Sequence, residues 1–291
     1  MQQELQIWIY DISQESLNLG MQRWQEAGGS SPGVKYLTEI DELPDALDLV
    51  IVATNADVRL QIVRSILKRA RVTNWVLEKV LAQNVASLDE LGNLLGGDSQ
   101  CWVNTPMYMW PLYSLLKETC EQGPVSASFL EMEGLACNAI HYIDLISRWS
   151  NSEIRSIDVT GLNSNWMASK RPGFFEVTGE FCVNFTDGSS LRLSSKNQSN
   201  SFHVVLSTLN ENWTVDEAIG RAESDKGRIV IGEVPYQSQI TASLVQSIFD
   251  SGDCKLPRLE QSISQHKPLL ESLLTHWNDN MPEKLKSLPI T

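Results

Sequence analysis

DLVIVATNADVRLQIVRSILKRARVTNWVLEKVLAQN, residues 48–84, decides how this chain is read. Leu49 to Ala53 is a short continuous apolar run, as expected of a parallel strand buried on both faces. Thr54-Asn55-Ala56-Asp57 is polar and turn-forming, and Asn55 or Asp57 caps the helix that follows. Val58, Ile62, Ile66 and Leu67 recur in that helix at helical spacing, with Arg59, Arg64, Lys68 and Arg69 on the other side. Trp75-Val76-Leu77 is the next buried strand, and Glu78-Lys79 stands at its carboxyl end. Open parallel sheets bind ligands just beyond the carboxyl ends of their strands. Asn55 and Lys79 are therefore expected on one rim.

The same alternation extends in both directions. Leu5 to Tyr10 reads as a strand ending at Asp11, and Ser13 caps a helix that runs to about Ala27. The stretch from Gly28 to Gly33 breaks it, and Val34 to Leu37 is a short strand. Beyond Lys79, Ser87 to Leu95 is a helix and Cys101 to Asn104 another strand. Residues 1–105 thus predict a Rossmann-like parallel sheet. The pattern changes over residues 106–291. Two helices, Trp110 to Gln122 and Asn138 to Trp149, flank a strand from Val125 to Met132. Strands then dominate from about Glu153 to Gly232, with a hairpin signal at Asp187-Gly188. Helices from Tyr236 to Phe249 and from Glu260 to Trp277 close the chain. The expected architecture is an α/β domain followed by an α+β domain with an open, mainly antiparallel sheet.

Composition narrows the function. A net charge of -13 with a pI near 4.8 opposes binding to nucleic acid or to an anionic membrane. No apolar run approaches the ~18 residues that span a bilayer. The start, MQQELQIWIYD, lacks a basic region followed by a long apolar core, so no signal peptide is expected and the chain reads as cytoplasmic. Its five scattered cysteines fit reduced thiols rather than a disulfide frame or a metal site. The N-x-S/T matches at Asn184, Asn197 and Asn212 read as chance.

Glu78-Lys79-Val80 and Ile140-His141-Tyr142-Ile143-Asp144-Leu145, in this order of elements, carry a resemblance over nearly the whole chain. The chain resembles the glucose–fructose oxidoreductase and inositol dehydrogenase family (Gfo/Idh/MocA), whose E-K-P and H-x-x-D motifs these stretches match. Leu256-Pro257-Arg258-Leu259-Glu260, with His266 beyond it, is similar to the family's closing helix region. The resemblance implies NAD or NADP as cofactor and a small carbohydrate or cyclitol substrate. It puts Lys79 beside the nicotinamide and the reacting hydroxyl, with His141 assisting proton transfer and Asn138 contacting substrate. Thr54, Asn55, Glu78 and Lys79 would lie along the cofactor. Asp11 would accept from the adenosine ribose and favour NAD, although a helix-capping role fits it equally. Homodimers or homotetramers are also implied.

Three departures stand out. The family commonly has an acid four residues before its histidine, where this chain has Cys137, and Arg59 stands where a histidine is frequent. The first strand here corresponds to the family's second, so the opening strand and the G-x-G-x-x-G turn that cradles pyrophosphate are not found. Two readings follow: an oxidoreductase moving hydride between nicotinamide and a hydroxyl or keto group, or a non-catalytic sugar-binding or scaffold relative that has lost dinucleotide binding.

Overall fold

The computed structural model describes residues 5–29, 33–97, 99–195 and 202–291. The Asn197 match and the Ser30–Pro32 part of the first break lie outside them. Strands and helices alternate through the first part: β1 (Ile7–Tyr10), α1 (Gln14–Glu26), β2 (Val34–Leu37), β3 (Ala46–Val52), α2 (Ala56–Arg69), β4 (Arg71–Leu77), α3 (Val85–Leu95) and β5 (Gln100–Val103). Ser13 caps α1 through its hydroxyl, and Asn84 caps α3 through its side-chain oxygen. All pairing here is parallel, but it falls into two sheets, β1-β2 and β3-β4-β5. Among the described residues, β3 therefore pairs on one side only. Its Ile51 is 43% exposed, against the expectation of burial on both faces. β4, flanked by β3 and β5, has the buried Trp75-Val76-Leu77 run that was expected.

The second part is α4 (Pro111–Thr119), β6 (Ser126–Met132), α5 (Leu135–Ser150), β7 (Ile154–Asp158), β8 (Leu162–Ala168), β9 (Phe175–Phe185), β10 (Ser190–Ser195), β11 (His203–Ser207), β12 (Asn212–Asp216), β13 (Arg221–Ser224), β14 (Ile229–Ile231), α6 (Gln237–Ser251) and α7 (Leu259–Asn280). The strands form one nine-stranded sheet in the order β14-β13-β12-β11-β6-β10-β9-β7, with β8 added on β9. Only β6 and β10 run parallel. Asp187-Gly188 makes the β9–β10 turn, with Gly188 at φ 96 and the Asp187 carboxylate accepting from Ser189. Val177, Phe181, Val183 and Phe185 of β9 and Leu191 and Leu193 of β10 are buried on the face that α5 covers. The opposite face carries Glu180, Cys182, Asn184 and Arg192, and Arg192 pairs with Glu180 at 2.6 Å.

β8 was not legible as a strand. Only Leu162 and Trp166 of LNSNWMA are buried, and the pairing with β9 shifts register between them, so no period-two pattern survives. Gly161, just before β8, lies against Gly179 of β9. Gly179 has φ 106, and a Cβ there would lie 2.5 Å from the Gly161 carbonyl oxygen and 2.7 Å from the Asn163 nitrogen. Gly179→Ala is expected to destabilise the chain by about 2 kcal/mol, from positive-φ strain and backbone overlap. A urea midpoint unchanged from that of the parent would refute this account of the crossing.

Candidate functional site

The strand end singled out by the sequence leads into a segment held from two sides. Arg59 is 1% exposed, so the placement of this side chain on the solvent face of α2 is corrected: Ala56, Arg59, Val63 and Ile66 face inward, and Val58 is exposed. Its guanidinium donates to the carbonyls of Thr54 and Val80, and to that of Leu81 at 3.1 Å. Burial pulls its pKa down to about 10, with Glu78 and Asp57 opposing. From the other side, the fully buried His266 of α7 accepts from Leu81 N–H at 3.2 Å through Nε2. Its Nδ1 donates to the Ser262 carbonyl at 2.8 Å, which sets the tautomer. Residues 79–81 are thereby fixed between α2 and α7.

Lys79 leaves this segment toward the start of α5. Its ammonium donates to Asn138 Oδ1 at 2.8 Å and to the Cys137 carbonyl at 3.2 Å. No carboxylate forms an ion pair with it among the described residues, and burial lowers its pKa from the ordinary lysine value. An ammonium has three donors, so one remains after these two bonds. Asn138 is held in turn by its Nδ2, which donates to the Glu133 carbonyl at 2.9 Å. Glu176 of β9 caps α5, accepting from Ala136 N–H at 2.8 Å and Cys137 N–H at 3.2 Å. A carboxylate at this position also matches the positive end of the helix dipole. The Cys137 thiol, pushed up to about 12 by burial and by Glu176, stays protonated.

These groups line a cavity of about 720 Å³ between the parallel and antiparallel parts. Thr54, Arg59, Glu78 and Lys79 form one wall, and the start of α5 with Glu176 and Phe175 forms another. The β8–β9 turn closes a third side. Ser169 N–H donates to the Phe174 carbonyl at 2.8 Å across the turn, and Arg171 Nη1 reaches Asn55 Oδ1 at 3.0 Å. Asn55 therefore does not cap α2 with its side chain. The first N–H of that helix, on Ala56, donates instead to the Thr291 hydroxyl at 2.8 Å.

Among the residues expected to act, the fold brings Thr54, Glu78, Lys79 and Asn138 to the cavity, with Asn55 tied to its rim through Arg171. Glu78 accepts from Asn104, whose Oδ1 accepts from Gln237 at 2.9 Å. His141 is not a lining residue. Its Nδ1 is buried without a hydrogen-bond partner, and burial with the nearby charge of Lys79 drops its pKa to about 3. Asp144 makes no hydrogen bond to it. That carboxylate, pushed up to about 6 by burial, lies 3.7 Å from Arg148 and accepts from Gln265 at 3.4 Å. Asp11 accepts from Ser13 N–H at 2.8 Å and is not a lining residue. Sequence reasoning missed Arg171 and Glu176, and it noted Arg59 only as standing where a histidine is frequent.

No family model and no curated protein sequence matches the chain. Solved structures do, over nearly its whole length. The UDP-N-acetylglucosamine 3-dehydrogenase GnnA of Acidithiobacillus ferrooxidans superposes with a TM-score of 0.67 at 11% identity, covering 94% of this chain and 96% of its own. An Agrobacterium radiobacter oxidoreductase, solved with NAD+, L-tartaric acid and magnesium, gives 0.68 at 12% identity over 94% and 89%. The super-repressor mutant of Gal80p from Saccharomyces cerevisiae gives 0.69 at 11% over 95% and 89%. The chain thus has the two-domain fold of Gfo/Idh/MocA-type oxidoreductases, as the sequence motifs implied.

The buried imidazole has a pH signature. With a folded pKa near 3 and an unfolded value near 6.5, His141 stays neutral in the fold while the unfolded chain gains a proton. Its stabilising contribution is complete above pH 6.5 and is lost as pH falls toward 3. Between pH 6.5 and 5 the loss amounts to about 2 kcal/mol, at ~1.4 kcal/mol per pH unit. Urea unfolding of the parent should therefore weaken over that interval by more than unfolding of His141→Gln. Equal pH slopes would contradict a buried neutral imidazole.

Proposed function

We propose that this chain is an NAD(P)-dependent oxidoreductase acting on a hydroxyl or keto group of a sugar, sugar-nucleotide or cyclitol. The observation that carries this reading is Lys79: a desolvated ammonium without an ion-pair partner among the described residues, at the carboxyl end of β4, on a cavity of about 720 Å³. Its remaining donor is available for the reacting oxygen. Burial lowers its pKa, which eases proton exchange with the reacting hydroxyl, and Asn138 holds the side chain in place. The resemblance also assigns proton transfer to His141, which is neutral, lies off the cavity wall and feels the charge of Lys79. Nicotinamide, when bound, supplies hydride transfer.

The cavity wall fits the nicotinamide end of a dinucleotide. Two buried polar atoms of lining residues, Thr54 Oγ1 and Arg59 Nε, have no hydrogen-bond partner. Such orphans are rare unless a ligand satisfies them. Thr54, Asn55, Glu78 and Lys79 are the residues assigned to hold that end, and Asp11 is assigned to the ribose, which favours NAD. The diphosphate end fits less well. No glycine-rich turn follows any parallel strand among the described residues. That observation favours a second reading, a non-catalytic relative that binds a sugar without a dinucleotide.

Calorimetric titration of the chain with NAD and NADP separates the two. The oxidoreductase reading expects saturable binding of at least one at millimolar concentration or below. It also expects Lys79→Met to retain that binding while losing at least about 100-fold in turnover, the scale of one proton-transfer group. Failure of both nucleotides to bind, with a sugar still bound, would establish the second reading.

A further inference from the structure

The cavity's charges are unevenly committed. Its three lining glutamates are engaged. Glu176 caps α5, Glu133 pairs with Lys170 at 3.2 Å, and Glu78 accepts from Asn104. Among the lining cations, Arg59 is spent on three carbonyls and Lys170 on Glu133. Lys79 and Arg171 remain, and neither has a carboxylate partner among the described residues.

Arg171 is well placed to use its charge. A guanidinium carries five N–H donors in a rigid fork, and only the bond to Asn55 Oδ1 occupies this one. Its backbone is fixed on both sides. Arg171 N–H donates to Ser169 Oγ at 3.1 Å, and its carbonyl accepts from Ser169 Oγ at 3.1 Å and from Phe174 N–H at 3.2 Å. The turn therefore presents the arginine from a closed hairpin rather than a loose loop. Its charge is also felt at Lys79, where it opposes protonation. Glu78 and Glu176 on the same cavity favour that ammonium, and an anionic ligand group between the two cations would add to their effect.

We infer that Arg171 is a specificity-determining residue that binds an oxyanion substituent, carboxylate or phosphate, of a polyhydroxylated substrate whose reacting hydroxyl meets Lys79. The substrate class is then an acidic or phosphorylated sugar rather than a neutral one. This rests on the oxidoreductase reading for what happens at the hydroxyl, but not for the binding of the anion.

The test is titration of the whole chain, without nucleotide, with glucuronate, glucose phosphate and glucose. At least one anionic sugar is expected to bind about tenfold or more tightly than glucose, the scale of one charge-assisted bond. Tighter binding of glucuronate assigns a carboxylate, and tighter binding of the phosphate ester assigns a phosphate. Arg171→Gln should abolish the preference and leave the melting temperature unchanged, because the side chain is exposed. Arg171→Lys should restore part of it. Equal affinity for all three sugars, no measurable binding of either anion, or a preference that survives Arg171→Gln would overturn the inference. An NAD titration of Arg171→Gln keeps the two proposals apart. A loss of NAD affinity with the sugar preference intact would assign Arg171 to the cofactor, through its bond to Asn55, and overturn the inference.

Discussion

The site depends on a buried guanidinium that has no acid to pair with. Arg59 satisfies the carbonyls of Thr54, Val80 and Leu81 at once, joining the turn after β3 to the segment after β4. Each bond from a charged donor contributes about 1.5–3 kcal/mol, and each carbonyl left buried without one would cost a comparable amount. The charge itself is desolvated, and only the fields of Glu78 and Asp57 offset that cost. The arrangement makes sense as a clamp. It fixes two neighbouring strand ends relative to each other, and His266 holds Leu81 from α7. Lys79, one residue before the clamped carbonyls, has little freedom left.

Lys79 repeats the device at the next level. Its ammonium is also solvated by neutral oxygens, those of Asn138 and the Cys137 carbonyl. A carboxylate partner would have raised its pKa and used its charge. Neutral acceptors leave the pKa depressed and the charge available. The helix that supplies them is fixed at its own start, where Gly134 has φ 65 and Glu176 occupies the first free amides. The antiparallel sheet thus positions the lysine through β9 and α5 without touching it. The same sheet supplies the opposite wall through the β8–β9 turn.

Much of this was legible in the sequence, and the failures have physical causes. The strand–turn–helix–strand of residues 48–84 follows from apolar runs and turn residues, so Lys79 could be placed at a strand end without coordinates. Asn138 could be grouped with it because the H-x-x-D stretch lies one helical turn away. Arg59 was misplaced because a charged residue on an amphipathic helix ordinarily faces water, and only tertiary carbonyls reverse that preference. Arg171 lies in the turn between β8 and β9, and Glu176 pairs with the irregular β8 from the start of β9, which local patterns do not register. Asp144 shares a helix with His141, but its partners are Arg148 on the same helix and Gln265 on α7.

The central claim is that Lys79 is a desolvated ammonium without an acid partner, facing the cavity. Its most direct test is the titration of the Lys79 side-chain nitrogen by NMR in selectively labelled protein, assigned by comparison with Lys79→Met. A pKa clearly below the ordinary lysine value of about 10.4 is expected, rising in Asn138→Asp, where a carboxylate replaces the neutral oxygen. A value at or above 10.4 in the parent would show an ammonium already paired or solvated. It would remove the basis for assigning Lys79 to the reacting oxygen.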